Sequence, residues 1–277
     1  MEALDALRGV LAITVVASHV ALTFGYRELM LPAFGAVCCF FTLSGYVLAT
    51  TYKGHPGTFM IRRLIRLWPL YAVCITVGGA IIGTLPTAAD YLWLSIPDWG
   101  QCPAADRPAW SLYYEVWATP FFPALIWLNS RSRIAGWCLA IAIILLGGTV
   151  DFRLALTSFF AIGVALAQYG IKMPAKFPKW LVWLGQVSFS LYLTHQLIFT
   201  VAVKMMGSWG VVVVLPMLPL VAAATWRLIE QPSTRLERIF GRIGNQFGSE
   251  WIPGMVVAEN ANRGLPWNPH IWKPEKH

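Results

Sequence analysis

The chain has 277 residues, of which 57% are apolar and only 12% are charged. A soluble domain carries about 25% charged residues, so this composition indicates an integral protein of a lipid bilayer. The net charge of +8 comes from basic residues dispersed between apolar runs, and no nucleic-acid-binding motif is present, so no nucleic-acid partner is predicted.

The apolar runs, taken in chain order, predict an all-α fold, a polytopic membrane helix bundle. Crossing a hydrocarbon core of about 30 Å requires about 17 to 25 residues. About eight runs qualify: 4–24, 31–52, 64–85, 110–128, 134–150, 153–170, 180–203 and 209–229. The first run offers no small-x-small cleavage site and is expected to remain as a helix. We therefore predict a transmembrane domain over 1–242 and a polar cytoplasmic tail over 243–277.

Two shorter features complete this prediction. The segment YLWLSIPDW (91–99) is too short to cross a bilayer and is expected to lie at its interface. The fifth and sixth runs are the shortest and are expected to form a tight hairpin around Asp151.

Lysine and arginine predict the orientation, because cytoplasmic loops of membrane proteins carry an excess of both. With eight crossings, thirteen basic residues fall on one side of the membrane and four on the other. The side with thirteen also receives both chain ends. The sequence thus predicts a multi-pass protein of the inner cell membrane with both termini in the cytoplasm.

Three ionisable residues stand out within the apolar runs: His19, Glu115 and His195. A rise of about 1.5 Å per residue places both histidines about 22 Å from the cytoplasmic start of their helices, and Glu115 about 8 Å below the outer surface. In a core of about 30 Å these depths coincide. Because ionisable groups in a bilayer are costly and usually functional, the three are predicted to form one site.

A set of arginines lies on the cytoplasmic side of this predicted site. Arg8 is eleven residues before His19, which puts both side chains on one helix face about 16 Å apart. Arg62 and Arg63 can share a face with Arg66 on a second helix. Guanidinium groups at these positions suit either the phosphates of a ligand or the phosphates of the surrounding lipid.

Six motifs give the chain a resemblance to the acyltransferase 3 family of multi-pass membrane O-acyltransferases. In chain order they are LDALRGVLAITVVASH (4–19), FFTLSGYVLA (40–49), RLIRLWPLY (63–71), WSLYYE (110–115), VSFSLYLTHQLIF (187–199) and EQPSTRL (230–236). Two departures are visible. Family members usually have ten membrane helices rather than eight, with the shortfall between Glu115 and the 187–199 motif, and Phe189 replaces a usual Tyr.

The resemblance implies an acyltransferase that moves an acyl group, with acetyl as the default, from acyl-CoA to a hydroxyl of a carbohydrate or other envelope acceptor. It implies His19 and Glu115 as catalytic residues, and Arg8, Arg63 and Arg66 as the residues that bind the acetyl-CoA donor. The candidates for acceptor binding or hydrogen bonding are Trp110, Ser111, Tyr192 and His195. No set of His, Cys and carboxylate side chains has metal-ligand spacing, so no metal is predicted.

Other functions are compatible with the buried polar residues alone. His19, Glu115 and His195 could line the path of a membrane transporter or proton-coupled carrier, or belong to a non-catalytic membrane protein. Within the acyltransferase hypothesis, a neutral histidine with an ordinary pKa of about 6.5 could act as a general base for direct transfer, or could carry the acyl group as an intermediate.

Overall fold

The computed structural model describes residues 2–52, 56–95, 102–150, 152–167, 169 and 176–248. These residues form helices and turns, with no β-strand among them. Helices are the expected solution for long apolar segments, because a helix satisfies its backbone hydrogen bonds internally. In chain order the α-helices are α1 (Glu2–Thr23), α2 (Met30–Thr51), α3 (Pro56–Ile82), α4 (Ala88–Leu92), α5 (Trp110–Ala118), α6 (Phe122–Arg131), α7 (Arg133–Val150), α8 (Phe152–Ala167), α9 (Lys179–Gln186), α10 (Ser188–Met206), α11 (Gly210–Val213), α12 (Met217–Thr225) and α13 (Gln231–Gly248).

The helices belong to two compact units, and the chain passes between them within α2, α3, α5 and α13 and once more between α8 and α9. The described part of the first unit comprises residues 2–40, 64–95, 102–116 and 176–236. There α1 packs against α9 and α10. Gly9 lies against the backbone of Leu181, and Gly185 lies against the backbone of Asp5. Glycines at both points let α1 and α9 approach more closely than any side chain would allow.

A buried apolar cluster fixes α1 relative to α10 in this unit. It combines side chains of α1, α10, α11 and α12 with one residue from the turn between α9 and α10 and one that follows α11: Ala12, Val187, Leu191, Phe199, Ala202, Val211, Val214, Leu218 and Ala222. Because α1 carries His19 and α10 carries His195, this packing determines how the two histidines meet.

In the second unit, the described residues are 41–63 without the gap at 53–55, most of 117–169, and 237–248. The helices α7 and α8 pack along each other, in agreement with the predicted hairpin, although Asp151 itself lies outside the described residues. Phe41 stacks on Phe160 at a ring-centroid distance of 4.6 Å. The side-chain amide of Asn129 donates a hydrogen bond to the carbonyl oxygen of Val164 (3.0 Å), which ties α6 to α8.

The structure supports an all-α membrane bundle, but it interrupts several of the predicted crossings. Among the described residues, three helical stretches have the length and apolarity to cross a bilayer: Glu2–Thr23, Arg27–Thr51 and Pro56–Ile82. The predicted run 110–128 is divided by a 3₁₀ turn, Thr119–Phe121, and the run 209–229 is divided between α11 and α12. Pro120 and Pro216 lie at these breaks, where a missing backbone N–H favours interruption.

The remaining crossings also differ from single long helices. The run 180–203 is divided at Val187 into α9 and α10, and two shorter apolar helices, Ile134–Leu146 and Ala155–Ala167, lie in the fifth and sixth runs. The count of eight crossings therefore stays a prediction. The helix α13 continues through the predicted boundary at 242 as far as Gly248, and residues 249–277 lie outside the described part.

Candidate functional site

The centre of the candidate site is a contact between His19 and His195, which we call the histidine pair. Their rings meet edge to face, with centroids 4.9 Å apart and planes at 73°. His195 is completely buried, whereas His19 is half-buried. The structure thus brings the two predicted histidines into contact, while their common depth in the membrane and their roles stay predictions.

Backbone carbonyl groups fix the tautomer of each histidine. Nδ1 of His19 lies 2.8 Å from the carbonyl oxygen of Val15, and Nδ1 of His195 lies 2.7 Å from that of Tyr192 and 3.2 Å from that of Leu191. A carbonyl oxygen can only accept a hydrogen bond, so both Nδ1 atoms carry the proton and donate. In the neutral rings, Nε2 is therefore the atom with the lone pair.

Hydroxyl groups adjoin the histidine pair through Tyr192, one helical turn before His195. The Ser111 hydroxyl donates a hydrogen bond to the phenol oxygen of Tyr192 (3.0 Å), and the ring of Tyr192 lies 6.1 Å from that of His195. Glu115, on the same helix as Ser111, interacts electrostatically with Tyr192. The structure thus brings Ser111 and Tyr192 together beside the histidine pair, whereas Glu115 is connected to them through its weak electrostatic interaction with Tyr192.

Trp110, the remaining acceptor candidate, begins the same helix. Its ring contacts that of Tyr114 at a centroid distance of 5.9 Å, and its side chain is partly exposed. The described contacts connect Trp110 to the aromatic residues of α5 rather than to the histidine pair.

A second group of polar residues is carried in part by α1 and α10, the two helices that also carry the histidine pair. Glu230 is 4% exposed, accepts a hydrogen bond from the Ser190 hydroxyl (2.9 Å), and interacts electrostatically with Arg66 and, more weakly, with Arg8. We call Arg8, Arg66, Ser190 and Glu230 the Glu230 cluster. It contains two of the three predicted donor-binding arginines together with a carboxylate of the EQPSTRL motif, which the sequence does not predict as a site residue.

The other arginines of α3 belong to the second unit. Arg63, the third predicted donor-binding residue, is buried there. Arg62 forms an ion pair with Glu237 at 3.0 Å, also within that unit. Of the predicted set, Arg8 and Arg66 are the two that interact electrostatically with Glu230, and Arg8 also forms an ion pair with Asp5 at 3.6 Å.

Asp106 was missed by the sequence reasoning, because nothing in CPAADRPAW distinguishes it from an ordinary loop acid. It is 1% exposed, and neither carboxyl oxygen has a hydrogen-bond partner in the described part of the chain. Burial raises the pKa of Asp106 to about 8. Burial, assisted by Asp106, also raises the pKa of the Cys102 thiol to about 12. Asp106 interacts electrostatically with Tyr192 and so adjoins the same site.

Taken together, the fold and these contacts define an all-α membrane protein with a pair of contacting histidines and, apart from them, a buried carboxylate that interacts electrostatically with two arginines. The family model described as an acyltransferase domain matches residues 1–172. The chain belongs to the acyltransferase 3 family. The match includes Arg8, His19, Arg63, Arg66 and Glu115, whereas the motifs at 187–199 and 230–236 lie beyond it.

One curated relative is described as "Protein 2 in picA locus" of Rhizobium radiobacter. It is 36% identical over 102 residues, covering 32% of this chain and 52% of the relative. The chain thus spans about half the length of that relative. No solved structure matches the chain significantly.

Proposed function

We propose that the protein transfers an acyl group, with acetyl as the default, from acyl-CoA to a hydroxyl of a carbohydrate or other envelope acceptor. The observation that best supports this is the tautomer of the histidine pair. Nδ1 of His19 donates a hydrogen bond to the carbonyl oxygen of Val15. The lone pair on Nε2 of His19 is therefore available to accept a proton from a hydroxyl group. Family membership supports acyl transfer as the reaction in which that proton is removed.

The donor is proposed to bind at the Glu230 cluster, at the cytoplasmic side of the inner membrane. Arg8 and Arg66 would bind the phosphates of CoA, with Arg63 as a further candidate on α3. Arg8 lies on the same face of α1 as His19, about 16 Å away along the helix. The pantetheine arm would extend over that distance and place the thioester beside the histidine pair. Both termini are proposed to be cytoplasmic.

The reaction proposed at the thioester balances without another reactant. As the acceptor oxygen attacks the carbonyl carbon, its proton passes to Nε2 of His19. The carbon–sulfur bond then breaks, and Nε2 returns the proton to the departing sulfur, which leaves an ester and free CoA. Glu115 would stabilise the positive charge of His19 in between, while Trp110, Ser111, Tyr192 and His195 would bind or orient the acceptor.

Transfer through an acyl group on Nε2 of His19 is the alternative route to the same products. Rapid denaturation of the purified protein at neutral pH after incubation with acetyl-labelled CoA, in the absence of acceptor, distinguishes the routes, because an acyl-imidazole hydrolyses quickly in acid. Label that remains on the wild-type protein but not on His19→Ala indicates the acyl-histidine, whereas direct transfer leaves the protein unlabelled.

Calorimetric titration of the purified protein with acetyl-CoA tests the proposal. We expect Arg66→Ala to weaken binding about tenfold or more, since a hydrogen bond to a charged group contributes about 1.5–3 kcal/mol. His19→Ala should retain binding but lose acyl transfer. Arg235→Ala is the matched control, because it removes an exposed arginine outside both groups. A folded wild-type protein that does not bind acetyl-CoA, or a His19→Ala protein with full transfer activity, would refute the proposal.

A further inference from the structure

Over residues 231–241, the helix α13 has three distinct faces. Ser233, Glu237 and Gly241 follow one another at intervals of four residues and therefore share one face, which we call the contact face. Ser233 and Gly241 are buried, and Glu237 is partly buried. A guanidinium N–H of Arg62 on α3 donates to Oε1 of Glu237 at 3.0 Å, and the backbone of Gly241 lies against the same arginine. The contact face thus attaches α13 to the beginning of α3.

The other two faces of α13 are exposed. Leu236, Ile239 and Phe240 form an apolar face, because positions three and four apart adjoin on a helix, and each of these side chains is about half exposed. Arg235 and Arg238 are also exposed, and the period of the helix places them between the apolar face and the contact face. Contiguous large apolar side chains at a surface mark a site of interaction. Its partner must cover apolar groups and tolerate two adjacent positive charges.

The position of Arg62 along α3 places the contact face near the edge of the membrane. The helix α3 has the length and apolarity to cross a bilayer, and Arg62 lies six residues after its first residue, Pro56. At a rise of about 1.5 Å per residue, Arg62 is about 9 Å from that end of the helix. The predicted orientation puts this end on the cytoplasmic side. The part of α13 that contacts Arg62 therefore lies near the boundary between hydrocarbon and water.

The chain also leads into α13 from an apolar helix. The helix α12 continues through a π-helical turn, Trp226–Glu230, directly into α13. Large exposed apolar side chains precede α13 along this path, namely Met217, Leu220 and Leu228, and Leu236 follows them in the same compact unit. In a membrane protein, acyl chains cover such side chains at no cost, because lipid tails are as apolar as leucine. Lipid is therefore the partner that best fits the apolar face.

We propose that α13 binds anionic phospholipids at the cytoplasmic surface of the membrane. The apolar face enters the boundary of the acyl chains, and the guanidinium groups of Arg235 and Arg238 pair with the phosphates of the headgroups. Helices with this division of faces bind a membrane surface through buried apolar area together with attraction to anionic lipid. The proposal concerns only the membrane contact of α13 and does not depend on the acyl-transfer reaction.

Photocrosslinking in reconstituted vesicles tests this contact. The full chain carries the photoreactive amino acid p-benzoylphenylalanine in place of Phe240, in bilayers of phosphatidylethanolamine with a minor share of phosphatidylglycerol. We expect crosslinks to phospholipid, with phosphatidylglycerol enriched about fivefold over its share of the bilayer, the ratio that corresponds to about 1 kcal/mol of attraction for one arginine. When Arg235→Gln and Arg238→Gln are combined, crosslinks to lipid should persist, but the enrichment should disappear.

The matched control places the same photoreactive residue at position 220 of α12, because Leu220 is exposed on an apolar helix without a basic residue. There the crosslinks should follow the composition of the bilayer, with or without the two arginine substitutions. Position 239 carries the same test if the variant at position 240 does not fold, since Ile239 is equally exposed. Crosslinks from α13 to a second copy of the chain instead of lipid would overturn the proposal. So would the absence of phosphatidylglycerol enrichment, or an enrichment that the arginine substitutions leave unchanged.

Discussion

At the scale of single residues, the histidine pair is oriented by the backbone of its own helices. In both α1 and α10 the ring nitrogen donates to a carbonyl oxygen four residues earlier, and His195 has a second acceptor three residues earlier. Neither ring needs another side chain to select its tautomer. Substitutions around the pair should therefore change access and polarity before they change which nitrogen accepts a proton.

The burial of Asp106 makes the stability of the folded protein depend on pH. Its pKa is about 8 in the folded protein, well above the ordinary value of 3.8, because burial disfavours the charged form. At a pH between these two pKa values, the carboxyl group of Asp106 is ionised in the unfolded chain but protonated in the folded protein. Stability is therefore lost as the pH rises from about 4 to about 8, by at most about 1.4 kcal/mol for each pH unit.

We expect Asp106→Asn to remove this loss, because asparagine does not titrate. The stability of the variant relative to the wild type should increase between pH 5 and pH 8, as followed by thermal unfolding in detergent. Glu28→Gln, which changes an exposed acid, should show a constant difference from the wild type. A wild type and an Asp106→Asn variant whose unfolding temperatures run parallel across this range would contradict the prediction.

At the scale of helices, close packing of α1 on α9 depends on the absence of side chains at two positions. A Cβ at Gly185 would overlap the backbone of Asp5, which is a main-chain group that cannot rotate away. The contact also determines where Arg8 lies, since Arg8 is in the same part of α1.

Gly185→Ala should therefore destabilise the fold by about 1–3 kcal/mol, the usual cost of overpacking. Gly35→Ala on α2 is the matched control, because a Cβ there meets nothing within 4 Å and alanine favours a helix by up to about 1 kcal/mol. Thermal unfolding of both variants in the same detergent measures the difference. Equal stability of the two variants would show that α1 and α9 can separate without cost.

At the same scale, the sequence predicts uninterrupted helices better than broken ones. Apolarity and length are sufficient to predict α1, α2 and α3, because each of these runs forms one continuous helix. The division at Val187 leaves the apolar pattern intact and cannot be recognised from composition. The meeting of His19 and His195 was predictable from their depths, because both lie fifteen residues into their predicted runs. The contacts of Asp106 and Glu230 required the tertiary structure, since their partners lie far away in the chain.

At the scale of the whole molecule, the distribution of lysine and arginine predicts the orientation in the membrane. A fluorescent protein fused after residue 248 should mature in the cytoplasm, whereas alkaline phosphatase inserted after Ser208, in the turn between α10 and α11, should be active outside it. Activity of the phosphatase after residue 248 would contradict the predicted orientation. It would also place the Glu230 cluster on the side opposite to cytoplasmic CoA.

Because of the π-helical turn at Trp226–Glu230, the direction of the Glu230 side chain depends on the number of residues in this turn. A π-helical turn holds one residue more than an α-helical turn, and each residue of a regular helix corresponds to about 100° of rotation. Deleting Leu228, whose side chain is 74% exposed, would remove almost no packing but would let the helix continue regularly. Glu230 would then point about 100° away from its present direction. A single-residue gap in the alignment of a homologue at this position would therefore alter the chemistry of the site without any substitution of a site residue.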